Sequence, residues 1–434
     1  MIRLALYGVL LLSIPAGAQS LWEELPDAPI TGRHNDAYFV SPDTGWVVNG
    51  DGEIFRTTNG GDAFTRQFFR TTAHFRTVGF INANRGWAGN VGDGEFGATD
   101  VNAIYETSDG GSTWSPVGAF HGRTPKGICG INVVNDSVVV AVGRVRGPAF
   151  FARTADAGTT WQSMSMSTYA AGLIDVHFFT PDSGLAVGLT SEEHELSRAV
   201  VLSTSDGGKT WEQRFVSNRT GEWAWKISFP SRHVGYVSIQ HNADSPIYFL
   251  KTTNGGSTWE EKLFSDTHYY VQGIGFATET LGWIGGNVTQ PTYVTHDGGE
   301  TWTPEPFGAR VNRFRFLGDS LGYAVGRSVY KYDATTNTSA QELAETTEPA
   351  LRLENYPNPL ADETTFRFLV PDARPARLIV YDVLGRQVAR LVEGTLSAGE
   401  HEVVWNARAL APGVYYAVLE QGLRKTALIV TVVG

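Results

Sequence analysis

An eight-residue pattern, Thr-x-Asp/Asn-x-Gly-x-Thr-Trp, recurs along the chain and limits its possible folds more than any other feature. It reads TSDGGSTW at Thr107–Trp114, TADAGTTW at Thr154–Trp161, TSDGGKTW at Thr204–Trp211, TTNGGSTW at Thr252–Trp259 and THDGGETW at Thr295–Trp302. A degenerate copy, TTNGGDAF, spans Thr57–Phe64. The acidic or amide positions, Asn59, Asp109, Asp156, Asp206, Asn254 and Asp297, are spaced by 50, 47, 50, 48 and 43 residues. Units of that length cannot bury an apolar face alone and must stack on their neighbours.

The chemistry of the pattern is that of a hairpin turn. The Asp or Asn accepts hydrogen bonds from its own turn, glycine supplies positive φ, and the Trp packs the turn onto its sheet. The period fits one four-stranded propeller blade, with strands a to d running from the centre outward. The pattern resembles the Asp box of sialidases, sortilin-type receptors and related propellers, where it is a structural turn. A second element precedes each box: DTGWVVNG at Asp43, NRGWAGN at Asn84, DSGLAVG at Asp182, HVGYVS at His233, TLGWIGG at Thr280 and SLGYAVG at Ser320, with DSVVVAVG at Asp136 in the third place. Seven such elements against six boxes leave one blade without its last strand. Residues 21–25, LWEEL, read like the strand that follows a box, so they are expected to close a seventh blade against residues 311–332 and remove the free edges. The expected fold is all-β, a seven-bladed β-propeller followed by a small antiparallel β-sandwich.

Composition agrees with a folded β-rich chain: 42% of residues are hydrophobic, 18% are charged, and there are 49 Gly. The net charge of −11 argues against a general nucleic-acid binder. A single cysteine, Cys129, leaves no intramolecular disulfide and reads as a small buried hydrophobe. Residues 1–18 read as a secretory signal: Arg3 is the basic element, Leu4 to Ile14 the apolar core, and Ala16-Gly17-Ala18 the cleavage site. No segment reaches the ~20 apolar residues of a membrane span.

The propeller is expected over residues 19–332. Residues 333–350, rich in Thr, Ser and Glu, read as a linker. Residues 351–434 then carry alternating apolar strands: TTFRFLV, RLIVYDVLGRQVARL, GEHEVVWNA, GVYYAVLEQG and KTALIVTV. Tyr356-Pro357-Asn358-Pro359, then TFRF, VYDVLGRQV, GEHEVVWNA and LAPGVYY resemble, in order, the type A sorting domain of the type IX secretion system. Gly385 and Arg386 belong to that motif as turn and signal residues. The resemblance implies a Bacteroidota-type cell, Sec export across the inner membrane, and passage through the outer membrane directed by residues 351–434. The sorting domain is then removed, and the passenger is released or tethered at the cell surface.

Function is expected where loops vary. Connections between strands a and b are short, whereas the b–c loops at residues 91–102, 143–148, 188–198, 238–246 and 286–291 are insertions. The d–a loops on that same face carry Arg33 and His34, His74 and Arg76, Arg123 and Lys126, Arg219 and Lys226, His268, and Arg310 with Arg313. Such a basic cluster in an acidic protein suits an anionic ligand. Trp223, Trp225, Tyr269 and Tyr270 would add stacking surfaces for a sugar or peptide. The competing account pairs each Arg with a loop carboxylate such as Asp93, Glu95, Asp100, Glu192, Glu193, Glu195 or Asp244. The whole propeller also resembles the photosystem II stability and assembly factor-like propellers, which implies an interaction scaffold. The expected function is therefore a secreted or surface binding module for an extracellular glycan or protein, with no cofactor or metal called for. The alternatives are a glycoside hydrolase of the sialidase-like superfamily, using rim carboxylates such as Asp36, Asp175 and Glu222, and a structural surface protein. No Arg-Ile-Pro element opens the first blade, and no zinc, nucleophile or phosphate-loop motif occurs.

Overall fold

The computed structural model describes residues 20–242, 245–287, 291–335, 351–383, 386–421 and 424–433. The expected export signal, Asp244, residues 336–350 of the expected linker and Gly385 lie outside the described residues. The chain divides into two compact units, residues 1–335 and 336–434.

The first unit consists of seven sheets arranged as propeller blades. Their innermost strands are His34–Phe39, Phe75–Phe80, Gly130–Val133, Gly172–Phe178, Glu222–Ser228, Val271–Phe276 and Arg313–Leu317. In the seventh blade, Arg313–Leu317, Leu321–Val325 and Val329–Asp333 are completed by Trp22–Glu24, which runs antiparallel to Val329–Asp333 with Trp22 opposite Tyr332. The closing strand is held by its aromatic residue. Trp22 is buried, stacks on Phe307 at 5.1 Å and meets Trp283 and Tyr332 at 5.4 Å. The third blade gains a fifth, outermost strand, Phe120–Gly122, parallel to Trp161–Ser165.

The boxes form the c–d turns. Thr107 Oγ1 donates to Asp109 Oδ1 (2.9 Å) and accepts from Gly111 N (2.9 Å), while Asp109 accepts from Thr113 N (2.9 Å) and Thr113 Oγ1 (2.6 Å). Asn254 does the same work, its Nδ2 donating to Thr258 Oγ1 (2.8 Å). Each box is tied to the a–b turn of its own blade, as in Gly110 N to Asn84 O and Gly298 N to Thr280 O, both 2.9 Å.

The Gly-aromatic element locks one blade to the next. A Cβ on Gly45 would lie 2.4 Å from the Phe39 ring, and one on Gly235 2.2 Å from Phe229, so the glycine makes room for the aromatic residue that ends strand a. The strand-b aromatic then lies flat on the corresponding ring of the following blade. Trp46 on Phe80, Tyr236 on Phe276 and Tyr323 on Phe39 all have centroids 3.5 Å apart. Its polar tip reaches the next blade's box: Trp46 Nε1 to Gly110 O (3.1 Å), Tyr236 OH to Gly298 O (3.3 Å) and Tyr323 OH to Gly60 O (3.1 Å).

The second unit packs a three-stranded sheet (Arg352–Tyr356, Glu363–Val370, Gly399–Asn406) on a four-stranded one (Gln387–Thr395, Pro375–Asp382, Gly413–Gln421, Arg424–Val432). Phe366, Phe368, Leu378, Val380, Trp405 and Leu419 are among its core residues. The Tyr-Pro-Asn-Pro turn is pinned by Asn358, whose Nδ2 donates to Ile429 O (2.7 Å) and whose Oδ1 accepts from Thr431 N (2.9 Å). Pro357 and Pro359 flank Asn358, and Tyr356 is 84% exposed. Arg386 folds back on Asp382 through N (3.0 Å) and Nε (2.7 Å).

Two predictions follow from the boxes. Hydrogen bonds from Thr113 hold the Asp109 carboxyl down at about 2, and the equivalent Thr160, Thr210 and Thr301 lower Asp156, Asp206 and Asp297. A carboxyl depressed on folding contributes stability above its unfolded value of about 4, and that contribution is lost as pH falls through the folded value. Replacing all four by Asn, as nature has at Asn59 and Asn254, should leave the neutral-pH melting temperature little changed. It should also flatten its fall between about pH 4 and 2, which a thermal-melt series reads directly. In the third blade, Ala157 occupies the left-handed position (φ 56°) that glycine holds in the other boxes. Ala157→Gly should therefore stabilise the propeller by about 1 kcal/mol, read by denaturant unfolding.

Candidate functional site

Strand a of a blade would normally pair residue for residue with strand b. In five blades it carries a β-bulge, between His34/Asp36, Phe75/Thr77, Leu173/Asp175, Ala224/Ile227 and Val271/Gly273. A bulge inserts an unpaired residue and re-aims its side chain. Here the extra residues are Asn35, Arg76, Ile174 and Gln272, and in blade 5 Trp225 and Lys226 together oppose Ser238. Contacts between blades that are not neighbours show that several of these side chains meet across the central channel.

The floor of the site is a buried ionic network. Arg313 of blade 7 donates from Nη1 and Nη2 to Asp175 of blade 4 (2.7 and 2.8 Å), and from Nε to Asp36 of blade 1 (3.1 Å). Arg315 adds bonds to both Asp36 oxygens (3.1 and 3.0 Å), and Thr77 Oγ1 donates to Oδ2 (2.9 Å). Burial alone would raise both carboxyls, but these cations overcome it and hold Asp36 and Asp175 below the usual carboxylate range.

Above the floor the polar groups are arginines and amides. Arg33 donates from Nε to Asn35 Oδ1 (3.1 Å) and from Nη1 to Asn287 Oδ1 (3.1 Å) and Gln272 Oε1. Gln272 Nε2 donates to Gln240 Oε1 (2.8 Å), and Gln240 Nε2 donates to Tyr270 OH (3.1 Å). Arg76, 1% exposed, lies between the rings of Phe96 (5.5 Å) and Trp225 (5.3 Å) and bonds Asn35 Oδ1 at 3.3 Å. His74 stacks on Phe96 at 5.1 Å, and the exposed Arg146 reaches over the same ring at 5.9 Å. Phe96 is 45% exposed and holds φ 48°, a strained backbone at the rim of the site.

The mouth is electropositive. Burial, Arg76 and Arg310 push Arg33 down to about 9, leaving it charged at neutral pH. Burial, Arg76 and Arg33 push His74 down to about 3, so its ring stays neutral. The nearby carboxylate Glu95 is buried, accepts from Arg146 N (3.2 Å) and lies 3.8 Å from Arg144. Among the described residues, no group of three or more His, Cys, Asp or Glu side chains is placed to hold a metal ion, and no helix is long and apolar enough to cross a membrane.

Of the residues expected here, Arg33, Arg76, His74 and Tyr270 do converge on the mouth. Others have different places. His34 begins strand a and is fully buried, its Nε2 2.6 Å from Pro29 O. Trp223 and Trp225 are buried as well; at the bulge both rings turn inward and stack on each other at 6.0 Å, offering no open platform. Tyr269 is buried with its OH on Pro291 O (2.9 Å). Arg313 is a floor residue with 2% exposure, closed off from ligand by its carboxylates. Arg219 is taken up by Glu222 (2.6 Å) and Glu261, and lies over Tyr248 at 4.0 Å. Arg123 is exposed beside the outermost strand of blade 3, away from the channel, and His268 is exposed 6.2 Å from the Tyr270 ring. Loop carboxylates do pair with some arginines, Asp100 with Arg70 (2.9 Å) and Glu95 with Arg144. Arg146, Phe96, Asn35, Gln240 and Asn287 were not anticipated. Aligning the inner strands on their terminal aromatic residues (HNDAYF, FRTVGF, VQGIGF) would have placed Asn35, Arg76 and Gln272 at one level.

Removing the floor cation leaves buried Asp175 without an arginine and Asp36 with Arg315 alone. Arg313→Met should destabilise the propeller by about 3–5 kcal/mol. Tryptophan fluorescence in denaturant reads it, since all of the twelve tryptophans except Trp405 lie in the first unit.

Comparison with known proteins agrees with this architecture. Residues 153–266 match the family described as Photosynthesis system II assembly factor YCF48, residues 293–304 the BNR/Asp-box repeat, and residues 354–431 the Secretion system C-terminal sorting domain. Among solved structures, YCF48 bound to a D1 peptide is 20% identical with a TM-score of 0.54, covering 74% of this chain and 99% of that one. YCF48 from Cyanidioschyzon merolae is 16% identical with a TM-score of 0.54, covering 73% and 100%. A GH74 xyloglucanase from Xanthomonas campestris is 12% identical with a TM-score of 0.51, covering 80% of this chain and 59% of the enzyme. No curated protein matches the sequence. The chain thus carries a YCF48-like Asp-box propeller and a secretion-system C-terminal sorting domain, which marks it for the type IX route.

Proposed function

We propose that this chain is an extracellular binding module whose channel mouth takes an anionic ligand, with a carboxylated or sulfated glycan as the first class to test. The observation that carries the reading is the company kept by Arg33. Its bonds go to amide oxygens of Asn35, Gln272 and Asn287, so its full charge stays in the site alongside Arg76 and Arg146. Phe96 and Tyr270 provide ring surface beside those charges. In this reading residues 1–18 direct Sec export in a Bacteroidota-type cell, and residues 351–434 engage the type IX machinery and are then removed. YCF48 has been captured with a peptide, which supports a binding role for this fold without naming a ligand here. The binding reading is favoured over the hydrolase alternative because Asp36, Asp175 and Glu222 are buried and each is bonded to arginine.

The test is an array of uronate, sulfated and neutral glycans probed with the full chain at low and high salt. Binding should favour the anionic probes and weaken with salt. Arg33→Ala with Arg146→Ala should lower it by about tenfold or more, as expected for loss of charge-assisted bonds. Equal retention of neutral and anionic probes, or a double variant that binds like wild type, contradicts the reading.

A further inference from the structure

The floor of the channel carries a feature that an exposed-ligand site does not need. Lys226, one of the two residues that oppose Ser238 in the blade 5 bulge, is 0% exposed, and its Nζ has no hydrogen-bond partner. The Nε of Arg76, also buried, has none either. A buried ammonium without a partner is costly, and proteins meet that cost by pairing the charge or by losing the proton.

The carboxylates that could pair with Lys226 are already engaged. Asp36 accepts from Arg313, Arg315, Thr77 Oγ1, Val78 N and Ala37 N. Asp175 accepts two bonds from Arg313 and one from Ile227 N (3.0 Å). Glu95 acts on Arg76 but is not among the charges acting on Lys226; its Oε1 accepts from Arg146 N and lies 3.8 Å from Arg144, while its Oε2 has no partner. The charges acting on Lys226 are Arg313 and Arg76, which repel its proton, and Asp175 and Asp36, which attract it. Burial dominates and pushes the amine down to about 7, a group poised to take a proton once a counter-charge arrives.

We propose that the channel floor is a binding site for a monatomic anion, chloride in the first instance, held by the Lys226 ammonium with Arg76 as the second cation. The enclosure by fully buried side chains suits a bare halide, whose charge needs only convergent N–H donors. This site lies beneath the open mouth and shares only Arg76 with it: its ligand is held by the Lys226 ammonium, whereas the mouth ligand meets Arg33, Arg146 and Phe96. Failure of the glycan array leaves it standing, and its own failure leaves the mouth reading standing.

The experiment follows thermal unfolding of the full chain by tryptophan fluorescence in sodium chloride against sodium gluconate at equal ionic strength, with crystals grown in bromide alongside. Wild type should melt about 2–6 °C higher once chloride exceeds its Kd a hundredfold, as expected for a ligand that binds only the folded state. Lys226→Met keeps the stem and removes the charge, so it should abolish the chloride increment without lowering the melting point in gluconate. The bromide crystals should show an anomalous peak at Lys226 Nζ. Equal melting in chloride and gluconate, an increment that survives in Lys226→Met, or the absence of that peak overturns the proposal. Were Lys226→Met not to fold, the wild-type selectivity and the bromide peak decide alone.

Discussion

At three junctions one blade is held to the next by an aromatic ring that lies flat on its neighbour's inner-strand Phe and hydrogen-bonds into its neighbour's turn. Trp46, Tyr236 and Tyr323 make this bond to the first glycine carbonyl of the following box, and the box itself is anchored to its own a–b turn. The two repeated sequence elements are therefore one device. The glycine before each aromatic residue leaves room for the inner-strand Phe, so a methyl group there would strike a ring at 2.2–2.4 Å at Gly235 or Gly45. Closure relies on the same kind of contact, with Trp22 entering the aromatic cluster of the last blade.

That lock sets the distance between inner strands, and the distance makes the channel chemistry possible. Arg313 spans from blade 7 to Asp175 in blade 4 while bonding Asp36 in blade 1, residues 138 and 277 positions away in sequence. With the carboxylates committed to the floor, the arginines above are left to amides. An acidic chain thereby presents a basic, aromatic-rimmed mouth.

Much of this was legible because it is local. The boxes depend on turn chemistry within eight residues, and the count of seven strand-b elements against six boxes was enough to pair residues 21–25 with the last blade. The candidate site was legible only in part. Arg33, just before strand a, and Arg76, at its start, were found by their position, but His34, Trp223, Trp225, Tyr269 and Arg313 were read as open surface and are buried. At His34 and Trp225 the reason is a bulge, whose one extra residue breaks the two-residue alternation that tells inside from outside. Arg313 lies on an unbulged strand and is drawn in by Asp36 and Asp175 of other blades. Arg123 was misplaced because the loop before it adds an outermost strand to blade 3, which no repeat pattern announces. Arg146 and Phe96 sit on insertions whose course depends on the neighbouring blade.

The account rests on where an anionic ligand lands. Hydrogen exchange of the full chain, mapped with and without polygalacturonate, tests this most directly. Protection confined to the loops at residues 91–102, 143–148 and 266–271, together with Arg33 and its neighbours, is the result the account predicts. Protection on the Asp-box face or in residues 351–434 alone would place the ligand elsewhere and contradict it.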